Sequence, residues 1–399
     1  MDGYFDFNAT TPMCAPAQEA LLNALRTFAN PSSHYRMAKA SRALMANARA
    51  AVAALIGADR EEIVFTSGGT EANNWALKGA IDALRAREPG GECHMIVSAI
   101  EHASVLEVAH YLQRYRNVAL TVVAPDAEGL IRPQAVIDAL RPDTRLVSVM
   151  LANNEIGAVQ PIAAIAEALR GRGIHVHTDA VQAIGKRPVD AHALGVDSLS
   201  FAAHKFCGPK GVGGLYLRTG VELAPLLHGG GQERGLRGGT EALASIAAMG
   251  AAADHARSDL DAGIARMRAL RETLRDGLRG KVANVVFNGP AADDARLPNT
   301  LSVTIPGVRA EALAAILDHS HDMQVSLGAA CSNNKAAALS HVLRAIGLPE
   351  DRIRATLRLS LHADTDEAAI ARLCEAIDKS VALLDSIANP IRKEAPHAA

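Results

Sequence analysis

The sequence predicts an α/β protein: a mainly parallel sheet covered by helices, followed by a smaller α+β unit. Two observations carry this. Short β-branched runs alternate with helical patterns through the middle of the chain, and the texture changes after about residue 255. A third sets the scale: 399 residues, 49% of them hydrophobic, are enough for a large core and two domains.

The elements follow in order. Residues 62–66, Glu-Ile-Val-Phe-Thr, read as a strand and 70–84 as a helix. Residues 95–99 form the next strand, with a helix from about Ser104. Strands are predicted at 118–123, 146–151 and 174–178, separated by helices near 133–140 and 161–171. Residues 198–202 are a further apolar, strand-like run. Beyond residue 255 come a long polar helix over 259–279 and strands at 285–288 and 301–305. Helices near 309–317 and 336–346, a strand at 355–361 and a last helix over 366–387 complete the pattern. The polar tail 389–399, with two prolines, is expected to fray.

Composition excludes several classes. A net charge of −2, a pI of about 6.7 and 3% aromatics argue against a nucleic-acid partner. The five cysteines, Cys14, Cys93, Cys207, Cys331 and Cys374, are scattered without metal-ligand spacing, so no metal site is expected. An odd count fits a reducing compartment. The N-terminus lacks a basic segment followed by an apolar run, and stretch 242–253 is too short to span a bilayer. A cytoplasmic location and no membrane association are expected.

In parallel sheets, ligands lie beyond the carboxyl ends of the strands. Residues 68–70, His102, 153–155, Asp179 and Lys205 all fall there. Residues 198–211 are the most informative: an apolar run ends in His204-Lys205, and Gly208-Pro-Lys-Gly follows. Burial disfavours an ammonium and suits a lysine used as a neutral nucleophile. With Asp179 at another strand end, the pair matches a pyridoxal phosphate site, where a lysine holds the aldehyde and an acid pairs with the ring nitrogen. The alternative is a solvated loop lysine. Thr66-Ser-Gly-Gly-Thr70 joins strand to helix and reads either as a phosphate cradle or as a glycine turn with a threonine cap. His102 is either structural or placed over a ring as an acid/base. Cys331 lies among small polar residues, Ser-Leu-Gly-Ala-Ala-Cys-Ser-Asn-Asn, which suits a reactive thiol. Arg358, flanked by apolar residues, requires a carboxylate, from the protein or from a substrate.

Together these segments resemble the NifS/IscS-like cysteine desulfurases, in class V of the pyridoxal phosphate (PLP) aminotransferase fold. The resemblance runs from Phe5-Asp-Phe-Asn-Ala-Thr-Thr-Pro through Asn30-Pro-Ser-Ser and Ser67-Gly-Gly-Thr-Glu-Ala-Asn-Asn. It continues through Glu101-His102, Asn153-Asn-Glu-Ile-Gly, His177-Thr-Asp-Ala-Val-Gln182, His204-Lys205 and Arg237-Gly-Gly-Thr240 to Cys331-Ser and Arg358-Leu-Ser. It implies fold type I, with a seven-stranded sheet. It also implies an N-terminal segment 1–15 packed on the small domain, a PLP-binding domain over 16–255, and a small domain over 256–399 carrying the Cys331 loop. By the same resemblance Lys205 is the Schiff-base lysine and Asp179 the partner of the ring nitrogen. His102 stacks on the ring and Gln182 bonds the phenolic oxygen. Gly69, Thr70, His177 and, from a second subunit, Thr240 hold the phosphate end, and His204 completes the cofactor site. Asn154, Arg358 and Asn30 bind the amino acid, and Cys331 accepts sulfur. The implied activity converts L-cysteine to L-alanine in a homodimer, with sulfur passed to an acceptor protein. A selenocysteine lyase, another PLP-dependent C–S lyase and a non-catalytic partner protein are the alternatives.

Ala202, Ala242, Ala329, Tyr35 and Ala38 depart from the family's usual Ser, Asn, Ser, His and Gly. They bear on phosphate affinity, substrate and acceptor.

Overall fold

The computed structural model describes residues 2–327 and 339–388. Seven strands form the large sheet: β1 (Ile63–Thr66), β2 (His94–Ser98), β3 (Ala119–Val123), β4 (Thr144–Ser148), β5 (His175–Asp179), β6 (Ser198–Ala202) and β7 (Gly213–Leu217). Their order is β1-β7-β6-β5-β4-β2-β3, and only β7 runs antiparallel to its neighbours. The carboxyl ends of six strands therefore open on one edge.

Side chains alternate across this sheet because the strand period is two. Ile63, Phe65, Ile96, Val147, Leu199 and Phe201 pack into one helical layer. Val64, Met95, Val97, Leu146 and Leu215 pack with Trp75, Leu77 and Leu112 into the other. Both faces are buried, which is why the strands read as nearly continuous apolar runs.

Strand β7 escapes the sequence pattern because it opens with two glycines. A Cβ on Gly213 would lie 2.4 Å from the Phe201 carbonyl oxygen, and one on Gly214 would lie 2.3 Å from the Phe201 ring. The predicted strand 146–151 ends early, at Ser148. Beyond it, the Met150 amide donates to the Glu101 carboxyl at 2.6 Å, drawing the chain towards the site.

Helices Ala38–Leu55 and Leu243–Ser258 cross closely. Gly250 makes that approach possible: a Cβ there would stand 2.6 Å from Ala48 Cα. Gly250→Ala is expected to destabilise the fold by about 1–3 kcal/mol, the usual effect of overpacking. Thermal unfolding checks this, and an unchanged midpoint would refute it.

A second, antiparallel sheet contains β8 (Val286–Asn288), β9 (Thr300–Thr304), β10 (Ser326–Leu327) and β11 (Thr356–Ser360), in the order β10-β11-β9-β8. Helices Leu260–Lys281, Ala310–His321 and Glu367–Ala388 share its core through Leu274, Leu317 and Leu373. The first residues of the chain join this unit. The Phe5 amide donates to the Gln324 carbonyl and the Ser360 amide to that of Phe5, each at 2.8 Å. Phe5 itself is 1% exposed in the small unit's core. Of the helix expected over 336–346, the described part is helical over His341–Ala345. Residues 336–338, Cys331 with Ala329, and the tail 389–399 lie outside the described residues. Among the described residues no helix is long and apolar enough to cross a membrane.

Candidate active site

A cavity of about 210 Å³ opens at the carboxyl edge of the large sheet. Gly69, Thr70, His102, Asn154, Asp179, Gln182, His204 and Lys205 all line it, together with Asn73, Ser104, Met150, Val181 and Ala202. Loops from four strands, β1, β2, β5 and β6, deliver most of these side chains.

Lys205 follows β6 in a single 3₁₀ turn, Ala203–Lys205. Its Nζ donates to the carbonyls of Asn8 at 2.5 Å and Ala9 at 2.8 Å, and to no carboxylate. Burial pushes the amine down to about 8, and the Arg358 charge adds to this; Asp179 and Asp6 act against it. This is the environment of a lysine used as a nucleophile rather than as a surface charge.

Asp179 ends β5 and is 3% exposed. Its Oδ1 accepts from the Val181 amide at 2.9 Å and its Oδ2 from Asn73 Nδ2 at 2.7 Å. No cation is within salt-bridge distance of Asp179 among the described pairs, so an incoming protonated ring nitrogen meets an uncompensated acid.

The phosphate end is formed by Gly68 and the helix Gly69–Arg87. Gly68 has φ 153°, a conformation that favours glycine. A Cβ on Gly69 would lie 2.7 Å from Val181 Cγ2. The first helical bond is made by the Ala72 amide to the Gly68 carbonyl, so the three preceding amides have no helical partner. A second cavity, lined by residues 67–71 with Thr10, His204, Lys210 and Gly211, lies beside this terminus. Bare amides, the helix dipole and Lys210 suit an anion. His204, whose ring bonds Thr10 Oγ1 at 3.2 Å, is pushed down to about 4, first by burial and then by the nearby lysines. Ala202 lines the cavity, so the serine hydroxyl usual in the family is absent from its wall.

His102 caps the helix Ala103–Arg116, its Nδ1 accepting from the Ser104 amide at 3.1 Å. Gln182 donates through Nε2 to the Asn8 carbonyl at 2.9 Å and accepts from Lys186 Nζ at 2.8 Å. Arg358, on β11, meets a protein acid: Nη2 is 2.5 Å from Asp6 Oδ1, Nη1 bonds the Asn154 carbonyl at 3.3 Å, and the buried Nε has no partner among the described residues. Like Asn30, Arg358 lines neither cavity, and it reaches the site's wall through the Asn154 carbonyl.

Of the expected cofactor contacts, His177 lies outside both linings, and Thr240, expected from a second subunit, lies away from its own chain's cavities. His177 is 1% exposed and lines neither cavity. Both its ring nitrogens are engaged, by Ser198 Oγ at 2.9 Å and Asn73 Oδ1 at 3.0 Å, one layer beneath the site. Thr240 is exposed and borders neither cavity of its own chain. Asn30 also lies outside both linings, and its Oδ1 accepts from the Ser32 amide at 2.8 Å.

Sequence reasoning missed Asn8 and Lys186. Asn8 bridges both units: its side chain donates to Thr300 Oγ1 and the Asn154 carbonyl and accepts from Lys186, while its carbonyl receives Gln182 and Lys205. It lies in the quoted segment Phe5-Asp-Phe-Asn-Ala-Thr-Thr-Pro, but nothing local assigns it these partners. The four-residue spacing of Gln182 and Lys186 is a helical signal that could have paired them. Two buried acids also surround the site. Glu101, 0% exposed, is pushed up to about 8 by burial, and it accepts from Ser98 Oγ at 2.5 Å. Glu155, raised by burial, accepts from Ser340 Oγ at 2.5 Å, which anchors the chain just after the undescribed segment.

A buried amine and a buried acid on one sheet edge, with an amide cradle beside them, define a pyridoxal-phosphate-dependent α/β protein. The comparisons narrow this. The class-V aminotransferase profile matches residues 3–373. A protein from Dictyoglomus turgidum described as cysteine desulfurase IscS is 39% identical over 392 residues, covering 98% of this chain and 97% of its own. Among solved structures, a NifS-like protein superposes with a TM-score of 0.88 at 35% identity, covering 96% of this chain and all of its own. SspA, solved in complex with cysteine, gives a TM-score of 0.79 at 34% identity, with 91% and 100% coverage. The chain belongs to the class-V aminotransferase family, among its NifS/IscS-like cysteine desulfurases.

Proposed function

We propose that this chain is a PLP-dependent cysteine desulfurase that converts L-cysteine to L-alanine and takes the sulfur as a persulfide on Cys331. The observation that carries the reading is Lys205: a buried amine pushed to about 8, facing a buried acid across a ring-sized cavity. When bound, pyridoxal 5'-phosphate supplies a carbonyl carbon for amines and an electron sink for the carbon next to them. The residues present fit it: Asp179 would hold the ring nitrogen, Gln182 the phenolic oxygen, and Gly69, Thr70 and the bare helix amides the phosphate.

In this reading His102 covers one face of the ring. Lys205, which would hold the cofactor's aldehyde, is the base placed to take the proton from the substrate Cα. Asn154, on the cavity wall, and Arg358, whose Nη1 bonds the Asn154 carbonyl, orient the substrate carboxylate. The Cys331 thiolate attacks the substrate sulfur; the S–S bond forms as the Cβ–S bond breaks, and Cβ ends protonated as alanine. Atoms balance, since cysteine and one enzyme thiol give alanine and one persulfide. The chain works as a homodimer in which Thr240 from the neighbouring protomer reaches the phosphate; its exposure away from its own cavity supports this. The persulfide then passes to an acceptor protein.

Single-turnover mass spectrometry tests the proposal. Cysteine added to the PLP-loaded protein is expected to add one sulfur at Cys331 and release alanine in equal amount, and Cys331→Ala is expected to lose both. Alanine without a persulfide would refute the sulfur-transfer step and leave a lyase.

A further inference from the structure

Beneath the cavity floor runs a buried polar chain that the proposed chemistry does not use. Ser198 Oγ on β6 lies 2.8 Å from His175 Nε2 and 2.9 Å from His177 Nδ1, both on β5. His177 Nε2 lies 3.0 Å from Asn73 Oδ1. Asn73 Nδ2 donates to Asp179 Oδ2 at 2.7 Å and to Ser104 Oγ at 2.8 Å. Ser104 Oγ is 2.8 Å from His102 Nδ1. Ser198, His177 and Asn73 are each at most 1% exposed.

The direction of every bond follows from chemistry. The Asp179 carboxylate only accepts, so the Asn73 amide must turn its NH₂ towards it and its carbonyl towards His177. That carbonyl, which also accepts from Ser200 Oγ, requires an N–H at His177 Nε2. Burial pushes His177 down to about 3, so the ring is neutral and its Nδ1 is bare. Ser198 must then donate to Nδ1 and accept from His175 Nε2. At the other end, the backbone amide of Ser104 donates to His102 Nδ1. The proton of a neutral His102 therefore sits on Nε2. Each group has one arrangement that satisfies all the others.

We propose that Asn73 and His177 are positioning residues for the cofactor, holding Asp179 and His102 in one hydrogen-bonding state from below. His177 sets the Asn73 amide. Asn73 then fixes one oxygen of Asp179 and the Ser104 hydroxyl that meets His102 Nδ1, whose tautomer the Ser104 amide sets. Asp179 keeps a lone pair for the ring nitrogen, and His102 keeps Nε2 as its one free ring nitrogen. The inference rests on PLP binding at this site and goes beyond it: His177 lines neither cavity, and Asn73, on the cavity wall, is given a role in holding Asp179 rather than the cofactor.

The test uses cofactor affinity, the visible absorption of the bound cofactor and the thermal stability of the cofactor-free protein. Asn73→Leu and His177→Leu are expected to weaken PLP binding about 10- to 100-fold, the size of losing a hydrogen bond to a charged group, and to alter the absorption. His177→Gln, which keeps an N–H in the place of Nε2, is expected to recover most of the affinity and the wild-type spectrum. A purely structural role would lower thermal stability while leaving the spectrum unmoved, and that result would overturn the proposal. Should the leucine variants not fold, Ser198→Ala deletes one hydroxyl and little bulk. It is expected to weaken binding about three- to tenfold by freeing the His177 tautomer; wild-type affinity and spectrum there would equally overturn the proposal. Asp179→Asn is the control: unchanged PLP binding in that variant would overturn the assignment of the site itself.

Discussion

Lys205→Ala is expected to reduce alanine formation by at least about 10³-fold, since one substitution removes both the covalent anchor and the proton carrier. The physical basis is the state of the amine. With a pKa of about 8, roughly a quarter of Lys205 is neutral at pH 7.5, against about one part in a thousand for an unperturbed lysine. The neutral form is the nucleophile, and burial moves the titration down. Capture of PLP by cofactor-free protein should therefore accelerate as pH rises and level off above about 8, rather than above the ordinary lysine value. Lys205→Arg should not restore turnover, because a guanidinium stays charged and cannot carry the proton. Borohydride reduction followed by mass spectrometry reads the result directly: wild type retains a covalent cofactor and Lys205→Ala does not. A reducible adduct persisting in the variant would place the anchor on another lysine, and Lys186, buried and sharing Asn8 with Lys205 as a hydrogen-bonding partner, would be the first to examine.

Asp179→Asn should have the second-largest effect, about 10²–10³ in turnover, comparable to removing one preorganised electrostatic contact from a dry site. A buried carboxylate favours a proton on the ring nitrogen; an amide does not. The substitution also sets an NH₂ group or a carbonyl against Asn73 Nδ2, where the native pair is donor to acceptor at 2.7 Å. Steady-state kinetics should show a loss in kcat larger than any change in KM for cysteine. The visible absorption of the bound cofactor should change with it. Equal kcat in variant and wild type would remove Asp179 from the chemistry.

How much of this was legible in the sequence depends on the range of each interaction. Lys205, Asp179 and residues 68–70 each sit at the end of a strand, where a local pattern brings a functional group to the sheet edge. The alternation of strands and helices tells which edge that is. Strand β7 was not legible, because its opening glycines are there to clear the Phe201 ring and carbonyl, and that neighbour is set by sheet order rather than by the segment itself. His177 lies where no short motif points. The family resemblance implied a phosphate contact, but His177 shares Asp179's face of β5 one pleat further from the carboxyl edge, and its ring ends among Ser198 and Asn73.

The sequence by itself determined the class of fold and the cofactor, and it brought Lys205, Asp179 and residues 68–70 to one sheet edge, because each of these is written in short motifs at strand ends. Only the tertiary structure decided how those residues are held. Asn8 reaches Lys205 across 197 positions, Asn73 reaches Asp179 across 106, and Asp6 reaches Arg358 across 352. Such bonds arise when burial leaves a polar group only its spatial neighbours as partners, and no local pattern encodes which neighbours those will be.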